Sequence, residues 1–402
     1  MEITMPNHQA IMETYNRFPV TLVKGKGSHV WDDQGHQYLD FTSGIATCNL
    51  GHVPDYVHEK LTAQVDTLWH CSNLYHIPPQ QALAQLLVDH SCADQVFFCN
   101  SGAEANEGAI KLARKWGRET KGEQAYNIIT FKQSFHGRTL ATLSATGQAK
   151  IQQGFAPLVQ GFQYLPYNDS DALETIDYDT TCAILLEVVQ GEGGVLPADP
   201  DWLTKLASIC QKKNMLLMID EVQTGMGRTG ELFGYQHFSI EPDVFTLAKG
   251  LGSGFPIGAV LAKQHVAKQF QPGTHGSTFG GNPLAVTAGL ATLEYMLAHN
   301  IASQANELGL YLNSKLAPLV ANYSIVEAIR GMGLLKGLLV SEQAAEIVAA
   351  ARAQRLLILL AGPNVVRILP PLTTTKMEID QAVGILESIF KKGLMADVKS
   401  NI

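Results

Sequence analysis

The sequence predicts an α/β fold in which helices cover both faces of a mostly parallel sheet. From about residue 50, helical patterns alternate with short, uninterrupted apolar runs, as in a chain of βαβ units. The last hundred residues lose this alternation, which favours a smaller α+β domain. We therefore predict an N-terminal segment, 1–50, that packs with the small domain, a large α/β domain, 51–290, and the small domain, 291–402.

The N-terminal segment carries three short β patterns, at 20–23, 30–32 and 38–41. The residues Asp33, Gln34 and Gly35 separate the last two patterns and are typical of a hairpin turn. We expect the last two strands to form a hairpin and the whole segment to pack with the small domain.

Within the large domain, strands and helices are predicted from two different spacings of apolar residues. Continuous apolar runs predict buried strands at 95–99, 126–131, 182–186, 215–220 and 244–248. Apolar residues at helical spacing mark three helices, through Leu83, Leu86, Leu87 and His90, through Ala105, Gly108, Ala109, Leu112 and Trp116, and through Leu203, Leu206, Ala207 and Cys210. Two further helices are predicted at 283–299 and 378–391.

Composition and charge exclude several classes of protein. The chain has 402 residues, 46% of them hydrophobic, and a formal net charge of −8, which argues against disorder and against a nucleic-acid partner. The six cysteines form no CxxC pair, and no metal-ligand pattern occurs. Residues 1–18 do not resemble a signal peptide, and the longest apolar stretch, 356–362, is too short to cross a bilayer. We expect a cytoplasmic protein without a membrane partner.

A candidate phosphate site lies where the run at 95–99 meets the next helix. Ser101, Gly102 and Ala103 occupy this junction, where free N–H groups and the positive end of a helix attract anions. Taken alone, the pattern is explained as well by Ser101 acting as a simple helix cap.

Two more strand ends carry reactive side chains. Asp220 ends one apolar run, and Lys249 follows another immediately before a glycine-rich stretch. Either could be an ordinary strand-end residue. Together, an anion site, a carboxylate and a partly desolvated amine match the phosphate, the pyridine nitrogen and the aldehyde of pyridoxal phosphate.

Six segments, in this order, carry a resemblance to a known family: 100–107 (NSGAEANE), 135–138 (FHGR), 190–194 (QGEGG), 220–225 (DEVQTG), 249–252 (KGLG) and 277–283 (STFGGNP). The sequence resembles the class III, or ω-amino, aminotransferases from about residue 15 to residue 372. The resemblance implies the fold of the type I pyridoxal-phosphate enzymes, with a seven-stranded sheet.

The resemblance also implies a role for each matching residue. Lys249 would hold the cofactor covalently and move the proton, and Asp220 would keep its pyridine nitrogen protonated. The cofactor ring and its phosphate would contact the remaining set: Ser101, Gly102, Ala103, Phe135, Val222, Gln223 and Thr278. Thr278 would reach the phosphate from the neighbouring subunit, which implies a homodimer with shared active sites.

Substrate recognition is expected from two arginines and one acid. Arg138 and Arg367 match the carboxylate-binding residues of the family, and arginine pairs with carboxylates in a planar, bidentate way. Glu192 would pair with Arg367 while an ω-amino donor is bound. Glutamate or 2-oxoglutarate, with two carboxylates, would displace it. Without the resemblance, either arginine would be read as an ordinary ion pair.

The prediction of the preferred amino donor depends on fewer residues. Ile45 stands where ornithine-specific members carry a tyrosine, and an apolar side chain suits an acylated amine better than a charged one. Ser277, beside Thr278, is also assigned to the substrate site. N2-acetylornithine of arginine biosynthesis is therefore the expected donor. Ornithine, succinyldiaminopimelate and 4-aminobutyrate remain alternatives, as does a protein that binds the cofactor without turnover.

Some residues depart from the family pattern, and one segment matches the motif of an unrelated kind of site. His76, Val188 and Ser253 differ from the usual residues, and His76 bears on substrate preference. Residues 225–230 (GMGRTG) match GxGxxG, but they do not stand between a strand and a helix, so we reject a dinucleotide site. His136 is interpreted as structural rather than as a metal ligand.

Overall fold

The computed structural model describes residues 10–392. Its strands are β1 (Leu22–Lys26), β2 (His29–Asp32), β3 (Gln37–Asp40), β4 (Gln95–Cys99), β5 (Asn127–Phe131), β6 (Phe162–Leu165), β7 (Thr181–Leu186), β8 (Val189–Gln190), β9 (Leu196–Pro197), β10 (Leu216–Asp220), β11 (Val244–Leu247), β12 (Gly258–Ala262), β13 (Val326–Met332), β14 (Leu335–Val340), β15 (Leu356–Leu357), β16 (Leu359–Ala361) and β17 (Val365–Ile368). Its helices are α1 (Ser43–Ala46), α2 (Asp55–Val65), α3 (Pro78–Asp89), α4 (Gly102–Lys121), α5 (Leu140–Ala145), α6 (Ala149–Gln152), α7 (Pro200–Lys212), α8 (Gln264–Ala267), α9 (Pro283–Ala298), α10 (Ile301–Asn322), α11 (Ala344–Ala353) and α12 (Lys376–Lys392).

A seven-stranded sheet in the order β4-β12-β11-β10-β7-β5-β6 forms the centre of the molecule. β12 runs antiparallel to both of its neighbours, whereas the pairs among β11, β10, β7, β5 and β6 are parallel. The predicted mostly parallel sheet is therefore confirmed. Because β4 and β11 are each antiparallel to β12, the carboxyl ends of β4, β11 and β10 lie at one edge of the sheet.

The five apolar runs identified in the sequence all form strands of this sheet, with limits shifted by one residue at most. Two members were not predicted. β6 has only four residues, and β12 (GAVLA) is made largely of small side chains that give no strong strand pattern.

The helix that begins at the candidate phosphate site lies close against the sheet. α4 buries Ala105, Ala109 and Leu112, as its spacing predicted, and contacts β7, β11 and β12. Its Gly117 allows this approach, because a Cβ there would lie 2.3 Å from the Ala125 carbonyl oxygen and 2.4 Å from the Cys182 Cβ. In α3, by contrast, His90 does not continue the buried face, since the helix ends at Asp89 and His90 is exposed.

Two smaller four-stranded sheets complete the fold. β2 and β3 form the predicted hairpin, and β1 pairs antiparallel with β2. β15 pairs with β3 in parallel, with Leu356 opposite Leu39. The other sheet has the order β13-β14-β17-β16. N-terminal and C-terminal strands thus share a sheet, although the domain limits remain predictions, and residues 1–9 and 393–402 lie outside the described residues. Between residues 10 and 392, no helix combines the length and apolarity needed to span a bilayer.

Candidate active site

A cavity of about 400 Å³ lies at the edge of the large sheet where β4, β10 and β11 end. It brings together most of the predicted site residues, namely Ser101, Gly102, Ala103, Phe135, Arg138, Glu192, Asp220, Val222, Gln223 and Lys249. The sheet topology explains this convergence, because residues that follow neighbouring parallel strands meet at one edge.

The candidate phosphate site is the first turn of α4. Ser101 adopts an extended conformation and caps the helix, with its Oγ accepting a hydrogen bond from the Glu104 N–H at 3.2 Å. The first N–H groups of a helix have no acceptor within the helix, so they are available to an anion. A Cβ on Gly102 would lie 2.7 Å from the Val222 Cγ1, so any side chain here would crowd the cavity. The capping and the anion-binding interpretations therefore apply to the same turn.

Asp220 is held as a carboxylate acceptor by three donors. Its Oδ2 accepts from the Asn106 Nδ2 at 2.7 Å and lies 2.8 Å from the His136 Nδ1, and its Oδ1 accepts from the Val222 N–H at 3.0 Å. Asn106 also accepts from the Thr246 hydroxyl at 2.8 Å, so α4, β10 and β11 are linked through it.

Asn106 was not predicted from the sequence as a partner of Asp220. One signal was present, because Asn106 is a polar residue on the buried face of α4. His136, which was interpreted from the sequence as structural, makes its side-chain contact with Asp220 itself.

Lys249 is half-buried at the cavity wall and has no polar partner. Its amine makes no hydrogen bond or ion pair with any residue between 10 and 392, and burial lowers the pKa of this amine. Its φ of +41° lies in the left-handed region that side chains other than glycine rarely adopt. An amine without its proton is a nucleophile, so this environment suits covalent attachment of an aldehyde.

Arg367, which is buried, forms a bidentate ion pair with Glu192, which is half-buried. The Arg367 Nη1 donates to the Glu192 Oε1 at 2.5 Å, and the Nη2 donates to the Oε2 at 3.2 Å. Burial alone would raise the pKa of Glu192, but the charge and hydrogen bonds of Arg367 outweigh it and hold that pKa below its usual value. The Gln223 side chain touches both partners, accepting from Arg367 at 3.3 Å and donating to Glu192 at 3.4 Å.

Arg138 differs from Arg367 in having no acidic partner. It is exposed, and its guanidinium carbon lies 5.7 Å from the centre of the Phe135 ring. Within the described part of the chain, no carboxylate forms an ion pair with it. One predicted carboxylate binder is therefore occupied by a protein acid, and the other is available.

A second buried acid, Glu187, was not assigned a role from the sequence. Its Oε1 accepts from the Phe135 N–H at 2.9 Å, and its Oε2 accepts from the Gly191 N–H at 3.2 Å. Burial raises the pKa of Glu187 to about 7. The carboxylate thus joins the loop that carries Phe135 and Arg138 to the loop that carries Glu192.

Four predicted residues do not line the cavity. Arg367 lies behind Glu192, with which it pairs. Thr278 and Ile45 are exposed, and the Ser277 Oγ accepts from the Asn100 Nδ2 at 3.3 Å at the margin of the site. The position of Thr278 agrees with the expectation that it serves a neighbouring subunit, which remains a prediction.

The departures from the family pattern have local structural roles. Val188 is fully buried against Gly234, the Ser253 Oγ accepts from the Leu50 N–H at 3.0 Å, and His76 is exposed beside Gln81. Residues 225–230 form turns, with no α-helix directly after them, as the rejection of a dinucleotide site required. Arg228 in this segment is fully buried and donates to the carbonyl oxygens of Leu334 and Pro370.

These observations fit pyridoxal phosphate. A glycine keeps the helix end open to a phosphate, a carboxylate held by three donors faces the cavity, and the Lys249 amine in the cavity wall has no partner. The family model "Aminotransferase class-III" matches residues 10–390. The chain therefore belongs to the class III aminotransferases, and it is a pyridoxal-phosphate-dependent transaminase.

Within this family, the chain is similar to acetylornithine aminotransferases over nearly its whole length. The chain is 56% identical to an acetylornithine aminotransferase of Oceanobacillus iheyensis over 389 residues, covering 97% of this chain and 98% of the relative. The acetylornithine aminotransferase of Bacillus subtilis is 49% identical, with 94% and 97% covered.

Solved structures of two subfamilies match the backbone. An N-acetylornithine aminotransferase from Stenotrophomonas maltophilia has a TM-score of 0.83 at 37% identity, with 94% of this chain and 97% of that chain covered. An ornithine aminotransferase from Toxoplasma gondii has a TM-score of 0.91 at 33% identity, with 95% and 92% covered. The backbone therefore does not separate the two subfamilies.

Proposed function

We propose that this enzyme transfers the δ-amino group of N2-acetylornithine to 2-oxoglutarate in two successive half-reactions, as a step of arginine biosynthesis in the cytoplasm. Relatives with about half of their residues identical, over nearly the whole length, bear the name acetylornithine aminotransferase. The observation in the site that carries the proposal is the contrast between its arginines. Arg367 is bound by Glu192, and Arg138 is free.

In the first half-reaction, the donor presents its distal amine to Lys249. Its single carboxylate then lies far from the reacting amine and would bind Arg138, while Arg367 stays paired with Glu192. The bound cofactor supplies an electron-withdrawing ring. Lys249 would hold the cofactor through its amine until the donor amine displaces it, and the released amine would then move the proton at the reacting carbon. Asp220 would keep a negative charge close to the ring nitrogen.

In the second half-reaction, the acceptor carries two carboxylates. One would replace Glu192 on Arg367, because both are carboxylates competing for the same bidentate donor. Gln223, which contacts both members of the pair, would support the change. The Glu192 side chain therefore lets one site accept an ω-amino donor and an α-keto acid in turn.

The proposal includes a homodimer with shared active sites. The segment 68–76 and the loop 276–281 form one surface, joined by bonds from the Asn73 Nδ2 to the carbonyl oxygens of Ser277 and Gly280 at 3.1 and 2.8 Å. This surface exposes large apolar side chains, including Trp69, Leu74, Tyr75 and Phe279. Exposed apolar surface of this kind is typical of subunit interfaces. Through it, Thr278 of the partner subunit would reach the phosphate of the cofactor.

Ornithine is the second candidate donor, since the structures of ornithine aminotransferases match the backbone closely. Ile45 argues against it. This apolar residue lies two positions before Thr47, which lines the cavity, and it offers no partner for the free α-ammonium group of ornithine.

The test is a set of single half-reactions with the purified yellow protein. N2-acetylornithine and glutamate should each discharge the colour quickly, and ornithine should do so slowly. The Lys249→Ala variant is the control and should show no such change. A preference for ornithine would overturn the donor assignment and leave the reaction class intact. No change with any amino donor would overturn the proposed activity.

A further inference from the structure

Two further cavities, of about 430 and 810 Å³, adjoin the active site on its outer side. The first shares Phe135, Arg138 and Glu192 with the active-site cavity. The second shares Gln133, Gln148, Gly362 and Pro363 with the first. They therefore form a continuous path from the protein surface to Arg138 and to Glu192, the partner of Arg367.

This path is lined by positive charge. Arg138 and Arg330 line the first cavity, and Lys132 and Lys150 line the second. The one acid in either lining is Glu192, which Arg367 already neutralises. Among residues 10–392, no carboxylate pairs with any of the four cations. In a chain of net charge −8, this is a local reversal of sign. We refer to Lys132, Arg138, Lys150 and Arg330 as the cationic vestibule.

Arg330 is the half-buried member of the vestibule. It lies on β13, and its Nη1 donates to the Gly194 carbonyl oxygen at 3.4 Å, a long bond. A guanidinium group has five N–H donors, so most of its hydrogen-bonding capacity is left for a ligand. Planar donors of this kind suit carboxylates.

We propose that the cationic vestibule is an anion-binding antechamber that takes dicarboxylate 2-oxo acids, with Arg330 as its anchor, before they reach Arg138 and Arg367. The inference rests on the proposed function, which supplies such an acceptor. It also distinguishes the two substrates. 2-Oxoglutarate carries two negative charges, whereas N2-acetylornithine carries one charge of each sign and has no net charge. A field that concentrates the first substrate gives the second little advantage.

The experiment compares kcat/KM for both substrates at low and high salt in the holoenzyme and in charge variants. At low salt, Arg330→Gln and Lys150→Gln should each lower kcat/KM for 2-oxoglutarate roughly three- to tenfold, and the value for N2-acetylornithine should stay within about twofold. Arg330→Lys should restore much of the loss. Lys268→Gln is the matched control, because Lys268 is exposed and lines neither cavity. Added salt should reduce the difference between the wild-type enzyme and the variants.

A second readout does not depend on turnover. Glutarate has both carboxylates but no keto group, and its equilibrium binding, measured by calorimetry, should weaken in the same order of variants. If Lys150→Gln has no effect and Arg330→Gln lowers kcat/KM equally for both substrates, Arg330 only supports Gly194 and the antechamber is wrong. If N2-acetylornithine is no donor, the proposed function fails. The acceptor measurement, made on enzyme converted with glutamate, still decides the antechamber.

Discussion

At the scale of single residues, Lys249 differs from an ordinary surface lysine in two ways. Its backbone is left-handed, and its half-buried amine has no partner. A left-handed backbone at a residue other than glycine costs on the order of 1–3 kcal/mol. We expect Lys249→Asn to abolish transamination and to raise the free energy of unfolding of the cofactor-free protein by roughly 1–3 kcal/mol, because asparagine tolerates positive φ.

Urea denaturation of the cofactor-free proteins measures this effect. Lys249→Ala is the control, since it removes the amine and keeps the backbone cost. An asparagine variant no more stable than the alanine variant would show that the backbone at Lys249 stores no strain.

Glu187 leads to a pH-dependent prediction. Its pKa of about 7 in the folded protein lies above the usual value of 4.5, so the native state binds more protons than the unfolded state between these values. The contribution of Glu187 to stability therefore falls as the pH rises from about 4.5 to 7. Glu187→Gln keeps this site neutral, so the variant should gain on the wild-type protein by on the order of 1–3 kcal/mol between pH 5 and pH 8.

Urea unfolding of both proteins at pH 5, 6, 7 and 8 checks the sign. Glu59→Gln, which alters an exposed acid on α2, should show no such trend. A stability difference between Glu187→Gln and the wild-type protein that stays constant with pH would mean that Glu187 is ionised in both states.

At the scale of elements, the approach of α4 to the sheet positions the phosphate site. In Gly117→Ala, the new Cβ would lie within 2.4 Å of both Ala125 and Cys182, so α4 must shift away from β7. We expect a loss of roughly 2–4 kcal/mol in unfolding free energy and weaker cofactor binding. Thermal denaturation and cofactor titration measure the two effects.

Gly384→Ala is the matched control for this change. Gly384 is exposed in α12, and a Cβ there would meet nothing within 4 Å. Alanine should stabilise this helix by about 0.5–1 kcal/mol. If both substitutions stabilised the protein, the close packing of α4 against the sheet at Gly117 would be contradicted.

Features that lie within one helix or one strand could be predicted from the sequence. Asp220 and Lys249 were predictable because strand ends can be read from apolar runs. β12 was not, because its small residues give no distinct pattern and the direction of a strand depends on its partners. The contact of Asn106 with Asp220 joins residues far apart in the chain, and it is set by how α4 lies across β10. Local patterns contain no such information.

At the scale of the whole molecule, the shared active site makes a prediction about mixed dimers. Lys249→Ala removes the amine from a subunit's own site, and Thr278→Glu should place a negative charge against the phosphate bound by the partner subunit. Each variant alone should be inactive. When the two variants are refolded together in equal amounts, about half of the dimers contain one subunit of each. One of the two sites in such a mixed dimer has both an intact Lys249 and an intact Thr278, so about a quarter of wild-type activity should return.

Activity after joint refolding, compared with each variant refolded alone, provides the measurement. Refolding wild-type protein together with Thr278→Glu is the control, because its activity shows how completely the subunits mix. No recovery in the mixture, with hybrids demonstrated by mass, would place Thr278 in its own subunit's site.

The position of β12 also has a consequence for the order in which the molecule is built. In the part of the chain that the structure describes, β4 pairs with β12 alone, and Cys99 stands opposite Gly258. The ribosome must therefore synthesise the chain past Ala262 before the strand that leads into the phosphate site can join the sheet. Such distant pairing slows folding and leaves an apolar strand edge unprotected. We expect the nascent chain to depend on chaperones until β12 emerges, and the cofactor to bind only after that point.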